Sequence, residues 1–501
     1  MVLKDGVKRK IGYIKGGEVV LTEAEILQFI QDDIASTKKQ LAKKGQDYYE
    51  GKHDILNYRL FYYDADGNLV EDKTKSNIKI PHPFFTELVD QCVQYMLSGK
   101  DGFMKSNIPE LQQYLDEYFN ENEDFTSELS ETIQGCKSKG FDYMYAYKNE
   151  DGKFAFQCAD SIGVVEVDKK YTDDNVDYVI YWYVDRIKDG STIKKIQVWD
   201  SIQVHYFIQK DNGKLEKDES HKINPKPHAT YKMSDNPNVT YAESFRFIPF
   251  FRLDNNKKQV SDLSPIKALI DDYDLMACGL SNNLQDLTEG YFVVKGFAGD
   301  DITELIQNIK TKKAVGVSED GDVDIRTVSI PAEARKIKLE LDEKNIYRFG
   351  MGFNSAQLGD GNITNIVIKS RYVLLDLKCD KLEIRLKQFL RKILKVVLQE
   401  INTLNKTDYK SSDVKIEFKR EVMTNALDNA NIEKVQAETN NIIINTLLAL
   451  AAKLDDETLM QKICETLDID YEEIKDKLPK DETNIQGVED TLNEVIVDEE
   501  V

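Results

Sequence analysis

Five histidines (His53, His82, His205, His221, His228) and six cysteines (Cys92, Cys136, Cys158, Cys278, Cys379, Cys464) are the residues whose types could hold a metal or attack an electrophile. A metal site built from one local segment needs two such ligands a few positions apart. The histidines show no such spacing, and neighbouring cysteines lie 22 to 120 positions apart with no CxxC. The cysteines therefore read as reduced thiols packed in a core. Nucleotide chemistry has no cradle: GxxxxGK[ST] does not occur. Gly350 and Gly352 begin a GxGxxG that Ser355 breaks, and no strand leads into it. HExxH and GxSxG are also absent, and with 89 acidic residues any carboxylate pair could be named. No catalytic residue, metal site or cofactor is expected, which for a chain of 501 residues favours a role in assembly.

Composition narrows the class further. The chain is 41% hydrophobic and 31% charged, enough for the cores of about two to four domains. Its net charge of −22 lacks the electropositive footprint of an ordinary DNA binder. The charge is uneven: residues 453–501 hold 17 acids and 5 bases, whereas residues 369–400 hold 9 Lys/Arg against 4 acids. No apolar run approaches the roughly 18 residues that span a bilayer. The opening Met-Val-Leu-Lys-Asp-Gly contains no hydrophobic signal segment, which predicts a cytosolic chain.

What remains are elements that position rather than react. Residues 350–364 form a loop with four glycines, followed by a long amphipathic helix from about 366 to 401. Ile368, Tyr372, Leu375, Cys379, Leu382, Leu386, Phe389, Ile393 and Val396 follow an unbroken 4-3 seam. A second stripe (Val373, Leu377, Ile384, Leu394, Leu398, Ile401) occupies another face. Such a helix spans roughly 50 Å: a spine that must bury two faces.

Upstream, Thr22 and Glu25 predict a capping box opening a helix to about Lys44. A second helix is expected from Phe84 to Leu97, with Gly99 as a left-handed cap, and further helices around 109–121 and 124–136. Between 153 and 252 the period falls to two, predicting an antiparallel meander closed by Phe245–Phe251. Ser264 and Pro265 predict a seamed helix over 264–288. An insert of strand (291–295), short helix (302–310) and two strands (314–317, 323–328) follows, then a charged helix over 332–349. Val414–Arg420 reads as a strand able to rejoin the 153–252 sheet, residues 428–478 as helical, and 479–501 as an acidic tail.

Several segments in this order resemble the portal proteins of tailed bacteriophages, in particular those of siphophages of Gram-positive hosts. They are Tyr49-Glu-Gly-Lys-His-Asp-Ile55; Asn77-Ile-Lys-Ile80 followed by Val89-Asp-Gln-Cys-Val-Gln-Tyr95-Met-Leu-Ser-Gly99; Ile248-Pro-Phe-Phe251; Ser261-Asp-Leu263; Leu269-Ile-Asp-Asp-Tyr-Asp274; and Ser281-Asn-Asn-Leu284. The match covers roughly residues 45–450, and its weight lies in the ordered series. One departure is Asn362-Ile-Thr-Asn-Ile366, where the family often has a Ser-Gly-x-Ala type lead into the long helix.

The resemblance implies an α+β portal-type subunit. Its parts would be an N-terminal arm and helix (1–44), an antiparallel β-rich wing (45–260), a stem helix (261–289), a small α/β clip (290–330) and a second stem helix (331–350). A tunnel loop (351–365), a spine helix with a wing return strand (366–427), a helical crown (428–480) and an acidic tail (481–501) would complete it. It implies a dodecameric ring at one capsid vertex of the virion, assembled in the host cytoplasm, through which double-stranded DNA is packaged and ejected. The terminase large subunit and later the head–tail adaptor would dock there, with scaffold and major capsid protein as further partners and no membrane.

Asn354, Ser355, Gln357, Asp360, Asn362, Thr364 and Asn365 would face the channel with a single charge among them, and Lys336, Lys338, Lys344 and Arg348 are candidates to line it from the stem. Ile368, Tyr372, Leu375, Leu382, Leu386, Phe389 and Ile393 would form the core or subunit seam. A nearly uncharged loop suits a conduit, because each phosphate captured by a cation adds affinity through counterion release. Two other readings stay open: a cytoplasmic scaffold built on a helical rod, and a nucleic-acid-processing enzyme without a familiar motif.

Overall fold

Thr22 and Glu25 do form the reciprocal capping box, starting helix α1 (Glu23–Ala35). The helix does not reach Lys44 unbroken. Ser36 is extended (φ −63°, ψ 143°), its hydroxyl accepts from Lys39 N–H, and it thereby caps a new helix, α2 (Thr37–Tyr49). The computed structural model describes residues 21–467 apart from 65, 74, 150–151, 169–176, 189, 234–235, 287–290, 298–302, 304, 306–316, 327–330, 355–364 and 422–425, together with 469, 471 and 475. The chain divides into two units, residues 1–360 with 370–422, and residues 361–369 with 423–501.

In the first unit α3 (Phe84–Met96), α4 (Pro109–Leu115) and α5 (Glu123–Lys139) follow. A π turn over Asp116–Asn120 extends α4. α3 ends at Met96 with Leu97 as its C-cap, and Gly99 is not a left-handed cap. A Cβ there would stand 2.3 Å from the Lys419 carbonyl oxygen, so close chain approach requires the glycine. α6 (Lys267–Asp286) begins three residues later than Ser264 predicts. The Ser261 hydroxyl and carbonyl tie down Leu263 and Ser264 N–H in a turn, and helical bonds begin only beyond it. α7 (Ala332–Gly350) agrees closely with the expected 332–349. The spine is α8 (Asn365–Asn405), longer at both ends than expected.

The meander exists but is smaller than the sequence predicts. Val164–Val167, Tyr178–Lys188, Ser191–Trp199, Gln203–Lys210 and Leu215–Lys217 pair antiparallel in chain order. Phe250–Asp254 does not close it. That strand pairs instead with Phe141–Lys148, a strand the sequence reading missed, which also pairs with Phe154–Ala159. Nor does the segment after the spine rejoin these sheets: Lys415–Ile416 pairs with Met104–Lys105. In the insert, Tyr291–Phe297 pairs with a single strand, Val317–Arg326, in place of the two expected, with Gly296 (φ 64°) at the register shift. The expected helix over 302–310 lies largely outside the described residues.

Three hydrophobic cores hold this unit. The largest joins Phe85, Leu88, Cys92 and Met96 of α3 and Leu129 and Ile133 of α5 to Leu375, Cys379, Leu382, Leu386, Phe389 and Ile393 of α8. A second lies between the meander and α1, with Leu21, Ile26 and Ile30 packed on Val165, Ile180, Ile196 and Phe207. A third joins Ala42 of α2 to Phe141, Tyr143, Val179 and Trp199 of the strands. In the second unit, α9 (Ala426–Ala449) and α10 (Asp456–Thr466) are joined by a turn of 3-10 helix at Ala451–Lys453. No helix among the described residues is long and apolar enough to cross a membrane.

A buried carboxylate sits where the α6 seam predicts only apolar packing. The stripe facing the core is Ile266, Ile270, Asp274 and Cys278, a 4-4-4 spacing, while Leu284 is exposed. Asp274 is fully buried and accepts from His53 Nδ1 and His82 Nδ1, both at 2.7 Å, and from His82 N–H at 2.9 Å. Burial alone would raise its pKa, but the bonds from His53 and His82 outweigh that and hold the carboxyl below its ordinary value. The clasp ties residues 53 and 82 to α6. Replacing His82 with alanine is expected to cost about 1.5–3 kcal/mol, the range for a hydrogen bond to a charged group, read as a lowered urea midpoint with unchanged slope. An unshifted midpoint would show that His53 alone carries the clasp.

Candidate functional site

α7 ends in a Schellman motif: Gly352 N–H bonds Tyr347 C=O (3.0 Å) and Met351 N–H bonds Arg348 C=O (3.3 Å). The left-handed position between them is taken by Met351 (φ 55°) instead of a glycine. Gly350 and Gly352 serve another purpose. Cβ atoms on them would meet the Leu88 methyls at 2.6 and 2.0 Å, so α3 packs directly on this backbone. Two of the four loop glycines are therefore sites of close packing.

The residues after α7 are then fastened from two sides. Gln91 of α3 donates from Nε2 to Phe353 C=O (2.7 Å) and accepts at Oε1 from Phe353 N–H (2.9 Å), so one amide side chain pairs with both backbone groups of one residue. The Phe353 ring stacks on Tyr372 of α8, centroids 4.8 Å apart. Tyr347 O–H donates to Glu87 of α3 (2.6 Å), and Asn354 Nδ2 donates to Glu343 (2.9 Å). Lys378 of α8 donates to the Gly350 carbonyl (3.0 Å).

That lysine belongs to a buried charge cluster. Asp262 Oδ2 lies 3.0 Å from Lys378 Nζ and 2.9 Å from Lys137 Nζ of α5. Asn255 donates to Asp262 Oδ1 (2.7 Å) and accepts from Lys137 Nζ (3.0 Å). Burial would push the Asp262 carboxyl up, but the two ammonium charges and the Asn255 bond hold it far below the carboxylate range. Burial pulls Lys137 down, and Asp262 more than restores it to above the ordinary lysine value. Nearby, Cys92 and Cys379 face each other across the α3–α8 contact, sulfurs 3.7 Å apart.

The residues singled out from sequence fall into distinct places. Of the loop set, Asn354 and Asn365 are described, Asn365 as the first residue of α8. Ser355, Gln357, Asp360, Asn362 and Thr364 lie outside the described residues. Among the stem cations, Lys338 is held by Asp272 (2.5 Å) and by Asp342, so its charge is engaged within the chain. Lys336 is exposed with Glu340 at 4.0 Å; Lys344 and Arg348 are exposed, Arg348 beside the Phe349 ring. In the seam, Leu375, Leu382, Leu386, Phe389 and Ile393 are buried, while Ile368 and Tyr372 are half-buried.

The second stripe divides. Leu394, Leu398 and Ile401 are buried within the chain, but Val373, Leu377 and Ile384 are 50, 49 and 62% exposed. Ile337, Leu341 and Phe349 of α7 are likewise more than half exposed. Sequence reasoning missed Gln91, Asp262, His53, His82 and Asp274 as a set. Their signal was present, because all but His82 fall inside the segments that carry the family resemblance.

Comparison with known proteins gives a consistent answer. The model of a family described as phage portal protein, SPP1 Gp6-like, matches residues 28–486. The chain is 28% identical over 370 residues to the portal protein of Bacillus phage SPP1, covering 73% of this chain and 71% of that one. It is 26% identical over 416 residues to the portal protein of Clostridium phage phiCD119, covering 79% and 86%.

Proposed function

The chain belongs to the SPP1 Gp6-like family of phage portal proteins, and on that premise we propose how a head–tail connector works with this geometry. Copies close into a ring, a dodecamer, whose bore passes double-stranded DNA into and out of the capsid without sequence readout and without catalysis by this chain. One observation carries the reading: apolar side chains of α7 and α8 (Ile337, Leu341, Phe349; Val373, Leu377, Ile384) leave about half or more of their surface uncovered by the described chain and recur at helical spacing. Scattered exposed apolar residues need no explanation, but contiguous stripes mark an interaction surface. A heterologous interface repeated by rotation closes a ring.

In this reading residues 45–260 and the strand near 414–420 are the wing, α6 and α7 the stem, 290–330 the clip, 351–365 the tunnel loop, α8 the spine, and 428–480 the crown. The clip receives the terminase large subunit and then the head–tail adaptor; scaffold and major capsid protein contact the assembling ring. Lys344 and Arg348, exposed and without a carboxylate partner among the described residues, are better placed to meet phosphate than Lys338, which two carboxylates already neutralise.

Deleting residues 355–361, beyond the clamped Phe353, is expected to leave rings intact by negative-stain imaging. DNA packaged or retained per particle should fall at least tenfold. Rings that fail to form would show that the segment belongs to the subunit interface. Full packaging by the deletion variant would remove the loop from the channel. Purified wild-type protein found as a monomer at every concentration would end the ring reading.

A further inference from the structure

We infer that Gln91 is a positioning residue for the channel: its side-chain amide fixes the direction in which the chain leaves α7 toward the loop. The inference rests on the tunnel-loop reading and adds to it the residue that holds the loop's base. The geometry is specific. A carboxamide offers one acceptor and two donors, and Gln91 uses both kinds on a single residue, Phe353 N–H at 2.9 Å and Phe353 C=O at 2.7 Å. The remaining Nε2 hydrogen is directed to Glu87 Oε1 at 3.0 Å, one turn earlier on α3, which sets the orientation of the amide.

The pairing does what a strand partner would do for Phe353, but from a helix that arrives from more than 250 positions away in the sequence. Around it, Leu88 leaves room only for glycine at 350 and 352, the Phe353 ring is stacked on Tyr372, and Lys378 holds the Gly350 carbonyl. These contacts fix where the backbone passes; among the described residues Gln91 is the one whose side chain bonds the peptide groups of Phe353, and so it sets their rotation. Its fixed amide faces Glu87 of α3, Tyr347 of α7 by way of Glu87, and no bonded cation. No other side chain among the described residues reproduces the donor–acceptor pair.

The test uses the full-length protein. Gln91→Leu keeps the volume and removes both bonds; Gln91→Glu keeps the bond from Phe353 N–H but sets a carboxylate against the Phe353 carbonyl. For Gln91→Leu, hydrogen exchange in the peptide covering 351–354 should accelerate at least tenfold. Rings should form normally, and DNA packaged per ring should fall several-fold, with Gln91→Glu between it and wild type. A residue that merely stabilises the fold would lower the melting temperature and ring yield while leaving packaging per assembled ring unchanged, and that result would overturn the inference. Unchanged exchange and packaging in Gln91→Leu, while deletion of 355–361 still cuts packaging, would overturn it and leave the channel reading standing. Faster exchange with full packaging in both variants would sink both.

Discussion

Leu386→Asp protein is expected to be unfolded, or unable to assemble into the proposed ring, under conditions where the wild type is folded. Leu386 has no exposed surface and sits on the α8 seam in the largest core, among residues contributed by α3, α5 and α8. Burying its side chain contributes about 1.5–3 kcal/mol. An aspartate there loses that term and adds an ionised carboxylate with no cation beside it, a penalty of several kcal/mol more. The sum approaches the whole stability of an ordinary domain, roughly 5–15 kcal/mol. Circular dichroism melts and native mass separate the outcomes. Leu386→Met, a volume-conserving swap, should cost less than about 1.5 kcal/mol and assemble. An aspartate variant that melts and assembles like the wild type would contradict the seam.

Asp262→Ala is the second large effect. It leaves Lys137 and Lys378, both almost completely buried, with no carboxylate between them. Breaking a buried ion pair by removing one partner costs about 3–5 kcal/mol, because the remaining charge stays desolvated; here two charges share the loss. The pH dependence follows from the direction of the shift. The folded-state pKa of Asp262 is depressed, so its contribution is complete above the unfolded value of about 4. It is lost as pH falls below that value toward the depressed folded one. The stability gap between wild type and Asp262→Asn, measured by urea unfolding, should therefore be widest near neutrality and narrow steadily below about pH 4. A gap that widened on acidification would mean that the carboxyl is not the stabilising partner of the two lysines.

What the sequence disclosed depended on whether the determining contacts were local. The α8 seam was legible because Leu375, Leu382, Leu386, Phe389 and Ile393 repeat along one element, and burial follows that repeat. The break at Ser36 was not read, although its cause is local: a serine hydroxyl that caps a new helix competes with continuing the old one. Phe141–Lys148 escaped because it is the middle strand of its sheet and its first four residues are all buried, so Phe-Asp-Tyr-Met carries no alternation. Its pairing with Phe250–Asp254, and that of Met104–Lys105 with Lys415–Ile416, joins segments about a hundred to three hundred positions apart. No local pattern encodes such partners. The same holds for the site. The loop and its helix were visible as a glycine-rich stretch before a seam, while Gln91, Leu88 and Lys378 meet it only through the tertiary fold. Glycines 350 and 352 read only as part of a loop with four glycines, whereas each marks a place where Leu88 leaves no room for a side chain.

The core between α1 and the meander has a bearing on how the polypeptide is made. Leu21, Ile26 and Ile30 leave the ribosome well before the residues they cover, which extend to Leu215. At about 5–20 residues per second of synthesis, the first helix waits roughly 10–40 s before the sheet that shelters it is complete. During that interval its greasy face is bare in every nascent copy. The earliest hazard this core creates is therefore premature sticking of α1 to other unfinished chains, before its own sheet exists to cover it.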